Sequence, residues 1–336
     1  MKNSIQQILR FFICLPLLTG CSIKINETFD YHQFMNPEDI QYDIKQLKKN
    51  LESRYFDINW EGKKEEIFTS LDKVATIDSP ISIDSFEERL AKIINHIDDG
   101  HSRVIHQKKK IQDHQNPFSV SSISDSVLYL RIGNFMEGDL LSDVLDEFSH
   151  QYRKKRPKNV IVDIQNNRGG EIGNVVMALS YFLPSKSKIY EKVKFKHSTG
   201  LRKYFSKLKE YFSGLTINKH TSNRKINGSP RVYVWINDRI ASGSMLFSYH
   251  MQRNGATIIG QQPKGLFNTF GNATGYKLPK SKIVFTLSRL RLFLSNKVPD
   301  RMEDMIRPDF PLEAKSNIHD VLHIINNPLR EDKSRD

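Results

Sequence analysis

The stretch Asn159-Val160-Ile161-Val162-Asp163-Ile164-Gln165-Asn166-Asn167-Arg168-Gly169-Gly170 decides the fold. Its first half is a short β-branched run flanked by polar residues, the pattern of a parallel strand buried on both faces. Its second half is a polar turn ending in two glycines, and an apolar, helix-like segment (175–183) follows. The same order recurs downstream: a short apolar run at 231–236, Ser242, a helix to about 252, and a strand at 256–259. Upstream, 127–132 reads as a strand and 138–152 as a helix. Strands alternating with helices over short links predict an α/β core with parallel strands.

Outward from this core, 275–296 reads as a pair of strands and 317–325 as a closing helix. Residues 105–120 read as a polar, basic connection, and 199–229 as an inserted helix with a polar loop. On the N-terminal side, Asn36-Pro37-Glu38 predicts a helix start, with Asn as cap and Pro at the first position. Ile40, Ile44, Leu47 and Leu51 follow at helical spacing. A second helix is expected over 62–75, and a third behind a capping box formed by Asp84 and Glu87. Residues 36–98 therefore read as a small helical subdomain, and 99–330 as the α/β core.

The chain begins with Lys2, Arg10 and an apolar run over 11–18. That run is too short for a membrane-spanning helix, which needs about 20 residues, and fits a signal-peptide core. It ends Leu18-Thr19-Gly20-Cys21, which reads as a lipobox. The expectation is a signal peptide over 1–20, a lipidated Cys21 and a tether over 21–35. Cys14 and Cys21 are the only cysteines, so the mature chain forms no internal disulfide. Ser22 after the cysteine resembles the outer-membrane sorting pattern. The expected location is the cell envelope, lipid-anchored, on the periplasmic face of an outer membrane where the cell has one.

The net charge of +13 is spread over KKK at 108–110, RKKRPK at 153–158 and the 200–225 stretch. No nucleic-acid-binding signature accompanies it, so nucleic acid is not an expected partner. Such runs read first as solvated faces or loops, and attraction to an anionic membrane surface is the likelier functional use.

Ser242 falls between a buried strand and an apolar helix, at a turn that Gly243 and Ser244 permit. α/β folds keep their active sites at this carboxyl end of their strands. The following helix presents free N–H groups to a developing oxyanion. Gly170, at the neighbouring strand-to-helix turn, can bring a second donor close, which makes Gly243 and Gly170 the expected oxyanion pair. A serine hydroxyl needs a base, and His101 is the candidate, set behind Gly100 at the junction of helical subdomain and core. His96 and His101 are spaced wrongly for one helical face, so no metal is expected. Gly169-Gly170 lacks the third glycine of a dinucleotide fingerprint, and no cofactor is expected.

Four segments together carry a family resemblance: Asp98-Asp99-Gly100-His101-Ser102, Asp163–Gly170, Ala241-Ser242-Gly243-Ser244, and Gly260 near Gly265 with Arg307-Pro308-Asp309 beyond. The chain resembles the tail-specific (C-terminal-processing, tricorn-core) serine peptidases over roughly 40–325. The resemblance implies a ClpP/crotonase-like spiral core and peptide-bond hydrolysis through an acyl-enzyme on Ser242. In the tricorn-like branch His101 is the base, and Glu303 is the nearest match to a late glutamate completing the site. In the serine–lysine branch the base follows the turn after Gly260; Leu266 stands there, and Lys264 is the alternative base.

The chain departs from the family pattern at Met245 (commonly Glu), Gln165 (Arg), Gln261 (Glu) and Pro263 (Thr). The short connection after His101 leaves no room for a PDZ module. The alternative function is a non-catalytic lipoprotein of the same fold that binds a peptide or apolar ligand, as the similarity to interphotoreceptor retinoid-binding protein allows.

Overall fold

The computed structural model describes residues 33–59, 62–105, 117–184, 187–190, 192–195, 215–216, 226, 230–264, 270–293 and 306–327. The chain divides into two compact units. One comprises 1–113, 190–214 and 268–298, the other 114–189, 215–267 and 299–336. The signal peptide, Cys21, most of 199–229 and Glu303 lie outside the described residues.

In the first unit the expected helices are Pro37–Arg54, Lys64–Ala75 and Ile83–Asn95. Ile40, Ile44, Leu47, Leu51, Phe86 and Leu90 form one core. The third helix starts earlier than the capping-box reading: Ser82 accepts the Ser85 N–H at 3.2 Å, and Glu87 is buried. Starting at Ile83 extends the buried stripe by one residue, which outweighs a cap at Asp84. Three short helices cannot cover one another's apolar faces, and a sheet completes the core. Phe270–Lys277 pairs antiparallel with Val284–Phe293, whose other neighbours are Arg103–Ile105 and Lys192–Phe195. Leu278, Ile283, Phe285 and Leu287 join the helical core. The buried Asp43 fastens helix to hairpin by accepting the Lys280 and Ser281 N–H groups at 3.0 and 2.8 Å.

The second unit is built on a six-stranded sheet. Its order is Phe310–Pro311, Thr257–Gly260, Arg231–Ile236, Asn159–Asp163, Val127–Ile132 and Phe118–Ser124. The first five strands run parallel, four of them as expected and Phe310–Pro311 as an addition; Phe118–Ser124 is an antiparallel edge. The residues read as a polar connection thus contain a strand. On one face Val127, Ile161, Tyr233, Trp235 and Ile259 pack against Val321 and Ile325 of the helix Ile318–Asn326. The intervening Leu128, Leu130, Val160, Val162, Val234 and Ile258 are equally buried on the opposite face. The helices Gly138–Lys155, Ile172–Phe182 and Gly243–Arg253 each follow a strand, and the Phe247 ring lies 5.8 Å from Phe135 and 6.2 Å from Phe182.

Candidate active site

Ser242 stands at the turn between the strand Arg231–Ile236 and the helix Gly243–Arg253, with φ 53° and ψ −118°. A serine that caps a helix has an extended backbone and accepts an N–H of the first turn. Ser242 does neither: its side chain makes no capping bond. The turn is also not made by Gly243, whose φ is not positive. The strain sits on the serine itself. A non-glycine residue there costs about 1–3 kcal/mol and persists only where its surroundings enforce it. A strained strand-to-helix turn that lifts a serine to the carboxyl edge of a parallel sheet is the geometry of a nucleophile elbow.

The surroundings are the Asn167–Gly170 loop. Gly169 adopts φ +91°, and a Cβ there would lie 2.7 Å from Gly243 N, 2.8 Å from Ala241 O and 2.9 Å from Ser242 Cβ. Gly170 is equally constrained: its Cβ would meet the Phe135 carbonyl carbon at 2.2 Å. This contact of backbone on backbone brings the expected oxyanion donors together, since a Cβ on Gly243 would lie 3.5 Å from Gly170 N. Among the described residues neither the Gly170 nor the Gly243 N–H has an acceptor. Two such donors, with the positive end of a helix behind one of them, suit an anionic oxygen.

Asn167, fully buried, is the bracket that sequence reasoning missed. Its Oδ1 accepts the Gly169 N–H at 2.8 Å and the Ser244 hydroxyl at 2.6 Å, and its Nδ2 donates to Ile132 O at 3.0 Å. Its carbonyl accepts the Ala241 N–H at 3.2 Å. Nearby, Asn166 and Asn237 pair reciprocally, each bond 3.0 Å. Asp163, at the end of its strand, accepts from Tyr129 Oη at 2.6 Å and pairs with Arg131. Arg131 also donates to Gln165 O at 2.9 Å. Burial, with the Asp163 carboxylate second, pushes the Tyr129 phenol well above its ordinary value.

His101 belongs to the first unit, on a turn with Asp98 at φ 53° and Gly100 at φ 77°. The buried Asp99 organises this turn: its carboxylate accepts the His101 N–H at 2.8 Å, and the Ser102 N–H and hydroxyl both at 2.6 Å. Thr286 Oγ1 donates to His101 O at 2.8 Å, and Ser288 N–H to Ser102 Oγ at 3.1 Å. The strand Val284–Phe293 therefore clamps the segment that carries the imidazole. Nδ1 lies 3.4 Å from Asp99 O. In the tautomer that carries its proton on Nδ1 this carbonyl accepts it, and Nε2 is then the basic nitrogen. Burial lowers the His101 pKa below the ordinary histidine value, against the opposing pull of Asp99. Burial thus favours the neutral imidazole.

Lys264 shares the second unit with Ser242, but its side chain is 81% exposed and pairs with Asp238 at 3.0 Å. Such an ammonium has neither the burial nor the apolar walls that turn a lysine into a base. Glu303, the expected third member of the site, and Cys21 lie outside the described residues. Among the described residues no group of three or more metal-ligating side chains occurs, and no helix is long and apolar enough to cross a membrane.

A parallel α/β core with a strained serine turn and paired glycine N–H groups defines a serine-type hydrolase. The chain belongs to Peptidase family S41, whose sequence model matches residues 126–309, and is a serine-type peptidase. Solved structures share the fold at low identity. A lipoprotein from Streptococcus agalactiae is 12% identical with a TM-score of 0.57, covering 91% of this chain and 99% of that one. The photosystem II D1 C-terminal processing protease is 11% identical with a TM-score of 0.55, covering 85% and 97%. Mature CPAF is 11% identical with a TM-score of 0.55, covering 82% and 93%. No curated protein sequence matches the chain.

Proposed function

We propose that the protein is a peptidase of the cell envelope that cleaves peptide bonds through an acyl-enzyme on Ser242, with His101 as general base. Nε2 of His101 takes the hydroxyl proton as Ser242 Oγ attacks the scissile carbonyl carbon. The carbonyl oxygen becomes an oxyanion and accepts the Gly243 and Gly170 N–H groups. On collapse the imidazolium gives its proton to the departing amine. Water, deprotonated by the same nitrogen, then releases the acyl group and restores the serine.

The observation that carries this reading is the strained backbone of Ser242 beside two backbone donors. A structural serine has no need of either. The envelope assignment is supported by Leu18-Thr19-Gly20-Cys21 behind its short apolar run. A fluorophosphonate probe should label the wild type and leave Ser242→Ala untouched. Tight binding of peptide by a chain that no such probe labels would favour the binding lipoprotein instead. A metabolically supplied fatty acid should mark the wild type but not Cys21→Ala; label on the mutant would overturn the anchor.

A further inference from the structure

The second unit has two chemically different ends. The carboxyl ends of its parallel strands carry Ser242 and the glycine loop. At the amino ends, the helix Gly138–Lys155 finishes where the strands Asn159–Asp163 and Arg231–Ile236 begin. Arg153, Lys154, Lys155, Arg156, Lys158 and Arg231 are all exposed there, and Lys158 O accepts the Arg231 N–H at 2.9 Å. Lys155 reaches across to Ser122 Oγ of the edge strand at 2.6 Å, beside the exposed Ile123. Among the described residues of the turns at this end (125–126, 153–158, 230–231, 253–256 and 306–309), Asp125 and Asp309 are the only carboxylates, and Asp309 is engaged by the Ile258 N–H at 2.7 Å.

Arg156 adds a separate observation. It closes the helix in the left-handed conformation, φ 46° and ψ 55°. That position ordinarily belongs to glycine, and an arginine there is conformationally disfavoured. The chain keeps a cation where its backbone would prefer none.

We propose that this end of the second unit docks on an anionic lipid surface, the Arg and Lys side chains meeting headgroup phosphates and Ile123 entering the interface. Each basic residue near such a surface strengthens binding by about fivefold. Docking by the amino ends of the strands leaves the Ser242 end of the same sheet turned to the aqueous side. A chain tethered by its N-terminus would thus be held with its site open to polypeptide.

The test uses residues 21–336 carrying Cys21→Ser, which keeps both units whole without an acyl chain, and phosphatidylcholine vesicles with or without phosphatidylglycerol. The chain should sediment only with the anionic vesicles and be released near 1 M salt, where screening reaches about 3 Å. Reversing Lys154, Lys155 and Lys158 to Glu should weaken binding by at least about a hundredfold. Reversing Lys45, Lys49 and Lys92, exposed on the first unit, changes the net charge equally and should weaken it by no more than a few-fold. Equal losses in the two triple variants would overturn the proposal in favour of a diffuse charge effect. So would binding to a soluble polyanion such as heparin without binding to vesicles. Glutamine versions of the triple, with melting temperatures, guard against loss of fold. Fluorophosphonate labelling of Ser242 should be unchanged in every variant, so docking and chemistry fail separately.

Discussion

One oxygen, Asn167 Oδ1, accepts both the Ser244 hydroxyl at 2.6 Å and the Gly169 N–H at 2.8 Å. A single side chain thus ties the helix that follows Ser242 to the loop that ends in Gly170. The bracket thus holds together the two turns that carry the Gly243 and Gly170 N–H groups, the proposed oxyanion donors.

Ser244→Ala removes one arm of it. A buried hydrogen bond of this kind contributes about 1 kcal/mol, so melting should shift modestly. Misplacing an oxyanion donor costs far more, and the fluorophosphonate labelling rate should fall by tenfold or more. An unchanged rate in a destabilised protein would show that the bracket serves the fold only.

Ser242 offers a test with an uncommon sign. Ser242→Ala should abolish turnover, a loss of about 10⁶ in a well-studied serine peptidase, without the loss of about 1 kcal/mol expected for a missing cap. Ser242→Gly should be equally inactive yet more stable than wild type by about 1 kcal/mol, since glycine occupies this backbone region without strain. A glycine variant that melts lower than wild type would remove the case for strain.

Acid should affect activity and stability together. With its pKa lowered by burial, His101 stays neutral into mild acid, and kcat/KM should rise with a midpoint below about 6.5. For stability the sign follows from proton binding. Burial also lowers His250 to about 4, its Nε2 lying 3.0 Å from Ile189 O. Both histidines bind fewer protons folded than unfolded, so their contribution is complete above pH 6.5 and is lost as pH falls below it, for His250 down to about 4. For His250 the loss amounts to about 3 kcal/mol. His250→Gln should flatten the acid limb of a melting-temperature profile; an unaltered limb would refute this source.

The choice of base is decided by two variants. Lys264→Ala breaks an exposed pair with Asp238, worth about 0–1 kcal/mol, and should leave turnover nearly intact. His101→Ala should remove nearly all of it. The opposite pattern would move the chain to the serine–lysine branch of its family.

Four of the five parallel strands were legible, each a short, largely apolar run whose burial on both faces announces itself in composition, but the two-residue Phe310–Pro311 was not. Phe118–Ser124 was not, since its serines carry no hydrophobic period and only pairing with Val127–Ile132 makes it a strand. The third helix was found but its cap misplaced, because Asp84 and Glu87 satisfied the motif while Ile83 was drawn into the core. At the site, Ser242, Gly243 and Gly170 could be read from local order, each beside a turn. Asn167 could not. It stood in a recognised motif, but its partner Ser244 is 77 residues away. Its signal was an asparagine two residues before a Gly-Gly turn, which marks a loop without saying what the loop holds. Arg131 escaped for a like reason: its pairing with Asp163 is made between neighbouring strands, which the linear order does not show.

That separation of 77 residues also has a bearing on timing. The strand Arg231–Ile236 must close a long loop to reach Asn159–Asp163 before Asn167 can meet Ser244, and such non-local pairings form late in folding. Until then nothing holds Ser242 in its strained turn, and its hydroxyl is an ordinary alcohol. A nascent chain therefore carries the serine without carrying the hazard: reactivity arrives only when the strand Arg231–Ile236 closes on Asn159–Asp163.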